Sequence, residues 1–330
     1  TINKSTDYFN TKLYTGNGSE DHTISGVGFQ SDLTWLKSRS SAISHMWTDA
    51  VRGNNNVINS NTSDAETTFS SLKSWNSDGF VLSNNSNFNG SGVTFASWNW
   101  LANGAGSANT DGSITSTVSA NTTSGFSIVK YTGNAVAGAT IGHGLGVVPK
   151  MIITKKLNGT PNWGVYHEGL GSASKYLELN LTSAEQTDNS VWDGTTPTSS
   201  TFLVGSDNKT NGSGGDYIAY CFNDVQGYSK FGSYTGNGSA DGTFIYTGFK
   251  PQLVMLKQAS GNTNWAMNDI KRQQYNAQDI ILYADSNGAE SGYGGNYFDI
   301  ISNGFKQRMS GSYFNGSGST YIYLAFAEAP

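Results

Sequence analysis

The 330-residue chain carries 19 Lys and Arg against 24 Asp and Glu, a net charge of −5, and only 13% of its residues are charged. Basic residues are scattered without forming a patch, which argues against nucleic acid as a partner, and no apolar run approaches the ~20 residues a membrane helix needs. A single cysteine, Cys221, excludes an intrachain disulfide and a thiolate metal cluster.

Glycine (41 residues), Ser, Asn and Thr are abundant, aromatics reach 12% and prolines number 5. That mixture favours short strands joined by polar turns. The aromatics supply large buried areas and the net charge is too small to hold the chain open, so disorder is a poor alternative. A soluble, globular, all-β protein is expected. The chain opens on Thr1, which reads as a processed product or a piece of something longer.

Tyr14-Thr15-Gly16-Asn17 returns as Tyr131-Thr132-Gly133-Asn134 and as Tyr234-Thr235-Gly236-Asn237, at spacings of 117 and 103 residues. Each spacing is the size of a small domain, so the chain reads as three tandem, independently packed units. Their expected bounds are 1–104, 125–227 and 228–330, with 105–124, rich in Ala, Gly, Ser, Thr and Asn, as a polar linker. Units two and three, separated only by Asn223 to Ser229, should abut rigidly.

After each anchor comes a turn and a short strand ending in lysine: Gly28 to Lys37, Gly146 to Lys155 and Gly248 to Lys257 align without a gap. Pro149 and Pro251 enter the strand where proline removes no ladder hydrogen bond, and Ser31 replaces them in unit one. Trp47 with Asp49, Trp163 with His167 and Trp265 with Asp269 follow on a further predicted strand. The tryptophan precedes its partner by two residues in unit one and by four in the others, and either placement keeps it on the same face. Burial in a core accounts for this pattern; an exposed stacking platform for a ligand is the alternative. Those six residues are therefore the candidate ligand-binding set.

Glu66, Glu185 and Glu290, each preceded by alanine, recur 52, 54 and 56 residues after their anchor tyrosines. Capping a turn or pairing with a lysine is the plainer role, and calcium ligation is the weak alternative, since no Asp-rich loop of EF-hand spacing is present. No cofactor is expected. Each unit closes with Asn-Gly-Ser-Gly, at Asn89, Asn211 and Asn315, read as a tight turn with positive φ. An aromatic-rich strand follows, in which Ala96, Trp98 and Trp100, then Ile218, Tyr220 and Phe222, then Ile322, Leu324 and Phe326 mark the core face. Cys221 falls on the opposite face as a small filler. Short strands in units of ~100 residues predict an all-β fold of three tandem antiparallel β-sandwich repeats of the lectin-like jelly-roll type; a closed barrel fits the same periodicity.

Chemistry is hard to find. His22, His45, His143 and His167 show no motif, Gly-His-Gly at 142–144 reads as a turn, and Gly16-Asn17-Gly18 reads as a hairpin turn. Asn17, Asn89, Asn180, Asn211, Asn237 and Asn315 sit in glycosylation sequons that this composition produces by itself. Two carboxylates per unit, Asp49 with Glu66 or Asp269 with Glu290, could serve glycoside hydrolysis, but His167 breaks the pattern in unit two and a repeated carboxylate suits a scaffold.

TyrThrGlyAsnGlySer at 14–19 and 234–239, the run from Gly227 to Ser239 and TyrIleTyrLeuAlaPheAlaGluAlaPro at 321–330 carry a resemblance. The chain resembles the repeat domains of tail-fibre-like and uncharacterised virion proteins of tailed bacteriophages, especially marine ones. The resemblance implies a non-enzymatic virion structural protein of the tail-fibre or tail-tip type, assembled in the host cytoplasm and placed on the tail or particle surface. It further implies a symmetric homo-oligomer, a trimer first, contacts with other virion proteins, and attachment to host-surface glycans. A purely structural capsid-decoration or fibre-shaft module is the alternative, and a polysaccharide depolymerase the second.

Overall fold

The lysine-ended segments Leu33–Ser38, Met151–Lys156 and Pro251–Gln258 form strands buried at nearly every position. A strand sealed on both faces needs apolar residues at odd and even positions alike, as these near-continuous runs supply. In the computed structural model, which describes residues 1–328, each lysine strand lies inside a large antiparallel sheet, paired on one side with the closing strand of its unit. The last two residues of the motif at 321–330 lie outside the described residues.

In unit one the sheet order is Phe9–Thr15, Thr94–Trp100, Leu33–Ser38, Met46–Asp49, Gly53–Ile58, Thr67–Thr68. Unit three repeats it with Ser229–Thr235, Thr320–Ala327, Pro251–Gln258, Ala266–Asp269, Ile280–Tyr283 and Ser291–Gly292. Opening strand thus pairs with closing strand. A smaller sheet nests inside that pairing, joining His22–Ser25 to Gly79–Leu82, Ala139–Gly142 to Thr201–Val204 and Phe244–Tyr246 to Gly304–Gln307. Large and small sheets face each other over a sandwich core, the outer pairings wrapped as in a jelly roll and the remaining strands of the large sheet running as a meander. Among the described residues no sheet closes into a barrel.

Three sequence expectations change. Residues 105–124 are not a bare linker: Ser107–Asn109 and Ser116–Asn121 add two strands to the edge of unit two's large sheet, and Ile114 bridges to Ile141 on the small one. Serines at 116 and 119 are buried there, on opposite faces of the strand, so its period had almost no hydrophobic signal. The Gly16-Asn17-Gly18 stretch is an arch between sheets and not a hairpin, because the strands it joins pair elsewhere. In the closing motif the positive φ falls on Gly92, Gly214 and Gly318, the last glycine, and Asn89 instead ends a short helix, Ser86–Asn89.

Those two motifs recur because they form one clamp. The Asn89, Asn211 and Asn315 side chains are fully buried, and each accepts from the backbone N–H of Asn17, Asn134 or Asn237 at 2.9–3.0 Å. The anchor hydroxyls of Tyr14, Tyr131 and Tyr234 donate to the carbonyls of Phe88, Thr210 and Phe314 at 2.7–2.8 Å. A Cβ on Gly133 would lie 2.6 Å from the Gly212 oxygen, which explains the glycine after each Tyr-Thr. Buried in this way, the three clamp asparagines cannot serve as glycosylation acceptors.

The largest departure concerns independence. The core face expected for the closing strands does not point into the sandwich. Trp98, Trp100, Tyr220, Phe222, Leu324 and Phe326 point out of it, into one core shared by all three units. Trp100, Phe222 and Phe326 occupy equivalent positions and meet pairwise, with ring centroids 6.3, 6.1 and 5.5 Å apart. The opposite face, with Phe95, Cys221 and Ala325, fills the separate sandwich cores. Burial there pushes the Cys221 thiol up to about 12. The units are therefore sectors of a pseudo-threefold ring. Phe326→Ala, which opens a hole where five aromatic neighbours meet, is expected to cost about 3–5 kcal/mol in a single transition by chemical denaturation. Separate unfolding of the sectors would contradict the shared core.

Candidate functional site

The residues singled out by sequence lie on, or directly before, the strand that pairs with each lysine strand on its other side: Met46–Asp49, Gly164–His167 and Ala266–Asp269. Register sets Asp49, His167 and Asp269 opposite Leu33, Met151 and Leu253, so these three are equivalent. By the same register Trp47 matches Val165 and Met267, and the counterpart of Trp163 and Trp265 is His45. The two-residue offset in unit one thus marks a different position, not a shifted tryptophan.

None of these residues is presented to a ligand. Trp47, Asp49, Trp163, His167, Trp265 and Asp269 are each 1% exposed or less. The ligand-binding expectation is corrected: the six hold neighbouring sectors together. Trp163 Nε1 donates to the Asn59 carbonyl of unit one at 3.1 Å, and Trp265 Nε1 to the Glu178 carbonyl of unit two at 3.0 Å. His45 closes the ring with Nε2 2.9 Å from the Tyr283 carbonyl of unit three. Because its Nδ1 accepts from Trp35 Nε1 at 2.7 Å, the His45 proton sits on Nε2 and the ring is neutral. Burial pushes the His45 pKa down to about 3.

The acids reach the other way round the ring. Asp49 accepts from Tyr220 of unit two at 2.7 Å, and Asp269 accepts from Trp98 Nε1 and Thr11 of unit one, both at 2.7 Å. His167 takes the equivalent place with Nε2 3.1 Å from the Tyr323 carbonyl of unit three, while its Nδ1 accepts from the Gly169 N–H. Burial holds His167 neutral, its pKa pushed down to about 4, and raises that of Asp269.

The repeated glutamates complete the junctions. Glu66, Glu185 and Glu290 donate their backbone N–H to the carbonyls of Leu157, Ala259 and Arg39 in the adjoining sector, at 2.7–2.8 Å. Their carboxylates pair with Arg52 at 2.8 Å, Lys175 at 2.6 Å, and both Arg39 and Arg272 at 2.8 and 3.0 Å. Arg52 lies between Glu66 and Asp49, so a guanidinium fills the gap a glycoside bond would need. Among the described residues no three His, Cys, Asp or Glu side chains converge as a metal site would require.

Sequence reasoning passed over the lysines at the ends of those buried strands as candidates for a role. Lys37, Lys155 and Lys257 are buried, and each ammonium bonds its own loop and reaches one carbonyl in the adjoining sector, those of Asn287, Ser63 and Thr182 at 3.1–3.2 Å. Their gap-free alignment was the signal. Burial pushes all three amines down to about 8.

A family described as a domain of unknown function, DUF7483, matches residues 4–330. The chain belongs to that family. The DUF7483 match runs across all three sectors. No curated protein and no solved structure shows significant similarity to it.

Proposed function

We propose that this chain is a non-enzymatic structural module of a bacteriophage particle, of the tail-fibre or tail-tip type, whose outer surface attaches to host glycans. One observation carries the non-enzymatic part: the charged and aromatic residues that recur at equivalent positions are spent on joining sectors, Asp49 on Tyr220, Glu66 on the Leu157 carbonyl and Asp269 on Trp98. Such a body keeps its chemistry inside and its binding capacity in surface loops rich in Asn, Ser and Thr. The phage assignment rests on the motifs at 14–19, 227–239 and 321–330, and placement in the virion and assembly as a homotrimer with other virion proteins belong to the same proposal.

A second reading, a decoration or shaft module without a receptor, is favoured by the edge strand Phe244–Tyr246. There Phe244 and Tyr246 are 44% and 65% exposed, where the equivalent positions hold Thr23 and Ser25 or Thr140 and Gly142. A hydrophobic sheet edge of that kind suits a neighbouring subunit.

The two separate by experiment. Purified chain is weighed by light scattering and tested for binding to surface polysaccharide from a panel of marine bacteria, against an unrelated β-sandwich. Retention above that control is expected. Binding no better than the control would remove the adhesion reading and leave the structural one.

A further inference from the structure

The pseudo-threefold ring brings the same four outward positions together at each sector junction, and the side chains there differ. In unit three they are Asn264, Tyr283, Tyr293 and Tyr313. The Tyr313 ring lies 6.1 and 6.0 Å from those of Tyr283 and Tyr293, and its oxygen accepts from the Asn264 N–H at 3.1 Å. Aromatic packing occupies that station. In unit two the equivalents include Asn162, Glu178 and Lys209. Glu178 accepts from Asn162 Nδ2 at 3.1 Å and lies 3.8 Å from the Lys209 ammonium, so a polar network occupies the second.

In unit one the same positions carry Ser44, Asn59, Phe69 and Asn87, all shorter or less extended than the tyrosines, and a cleft of about 330 Å³ opens between them. Met46 and Ile43 line it together with the half-buried Phe69 ring, and Asn287 of unit three closes one side. Among the described residues no charged side chain lines it. The side-chain amide of Asn59 gives only its Nδ2, to the His45 carbonyl, leaving Oδ1 unspent. Asn87 and Asn287 are exposed, and among the described residues only their backbone groups are engaged.

We infer that this cleft binds a single neutral sugar ring. Amides offer donors and acceptors side by side, which hydroxyl rims require, and the Phe69 face and Met46 suit the apolar C–H face of a pyranose. A carboxylate or phosphate would find no cation here. The volume is at the small end for ligand sites and suits one residue of a glycan. The inference deepens the adhesion reading above and names its contact point.

The test uses the whole chain and saturation-transfer NMR with four probes, the methyl glycosides of glucose, mannose, galactose and N-acetylglucosamine. At least one is expected to bind with a dissociation constant on the order of millimolar. Asn59→Tyr, which installs the unit-three residue and fills the cleft, and Phe69→Ala should each weaken it at least ~10-fold, and Tyr293→Ala should not. Failure of all four probes, or binding that survives Asn59→Tyr, overturns the inference. The polysaccharide assay separates the two ideas. Surface binding retained by Asn59→Tyr sinks the cleft and spares adhesion, whereas glycoside binding without surface binding spares the cleft and sinks adhesion.

Discussion

Acidification from pH 7 to 4.5 is expected to lower the unfolding free energy steeply, with His45 and His167 as principal contributors. Both imidazoles are buried and neutral, with folded pKa values pushed down to about 3 and about 4 by burial. In the unfolded chain each returns to ~6.5. Between those limits the unfolded state holds the extra protons, so stability is full above ~6.5 and falls with decreasing pH by up to ~1.4 kcal/mol per unit for each histidine. By pH 4.5 the pair should remove about 4–5 kcal/mol. The decisive quantity is the slope. Urea denaturation at several pH values should show that His167→Gln loses about one proton's worth of pH dependence, whatever its stability at pH 7. An unchanged slope would mean that His167 does not stay neutral in the fold. The protonated ring would hold a second donor at Nδ1, where the Gly169 N–H now donates, which is why charge is poorly tolerated.

The all-β class and the strand ending at lysine were legible because each left a periodic trace in a single sequence. The shared core was not. In the closing strand 320–327 residues alternate between two buried faces, and Ile322, Leu324 and Phe326 look the same whether they face a small sheet or two other sectors. Alternation identifies a face and not what covers it. The candidate site failed for a related reason. A buried tryptophan beside an acid has the composition of a binding platform, and only the partners, Asn59 for Trp163 and Tyr220 for Asp49, reveal a joint between distant segments. Trp47 was misaligned because His45 performs the hydrogen bonding that tryptophan performs elsewhere, so residue identity misled where register did not. Residues 105–124 failed through composition, since serine and threonine can face inward when a strand caps an edge.

Lys155→Met is expected to destabilise the chain by about 3–5 kcal/mol, although among the described residues no carboxylate pairs with that lysine. Its ammonium, with three N–H donors, lies within hydrogen-bond distance of four carbonyls, those of Ser63, Lys156, Gly159 and Pro161, at 2.9–3.2 Å. Methionine matches the stem and leaves those oxygens without a donor, in a junction closed to water. Exposed Lys130→Met is the control and should change stability by under ~0.5 kcal/mol. A second signature follows from the amine itself. Desolvation opposes the charge that the carbonyls favour, and the pKa comes down to about 8 against ~10.4 unfolded. The unfolded chain therefore holds more protons between those limits, and this lysine's contribution to stability rises with pH across that window. Lys155→Met should remove part of that rise, which denaturation at pH 8 and 9.5 would detect. A variant as stable as the parent, with the parent's pH slope, would show that the carbonyl cage contributes nothing. Because Lys37 and Lys257 make the same reach across the other two junctions, their methionine variants should lose stability comparably, as a ring closed by three equivalent joints demands.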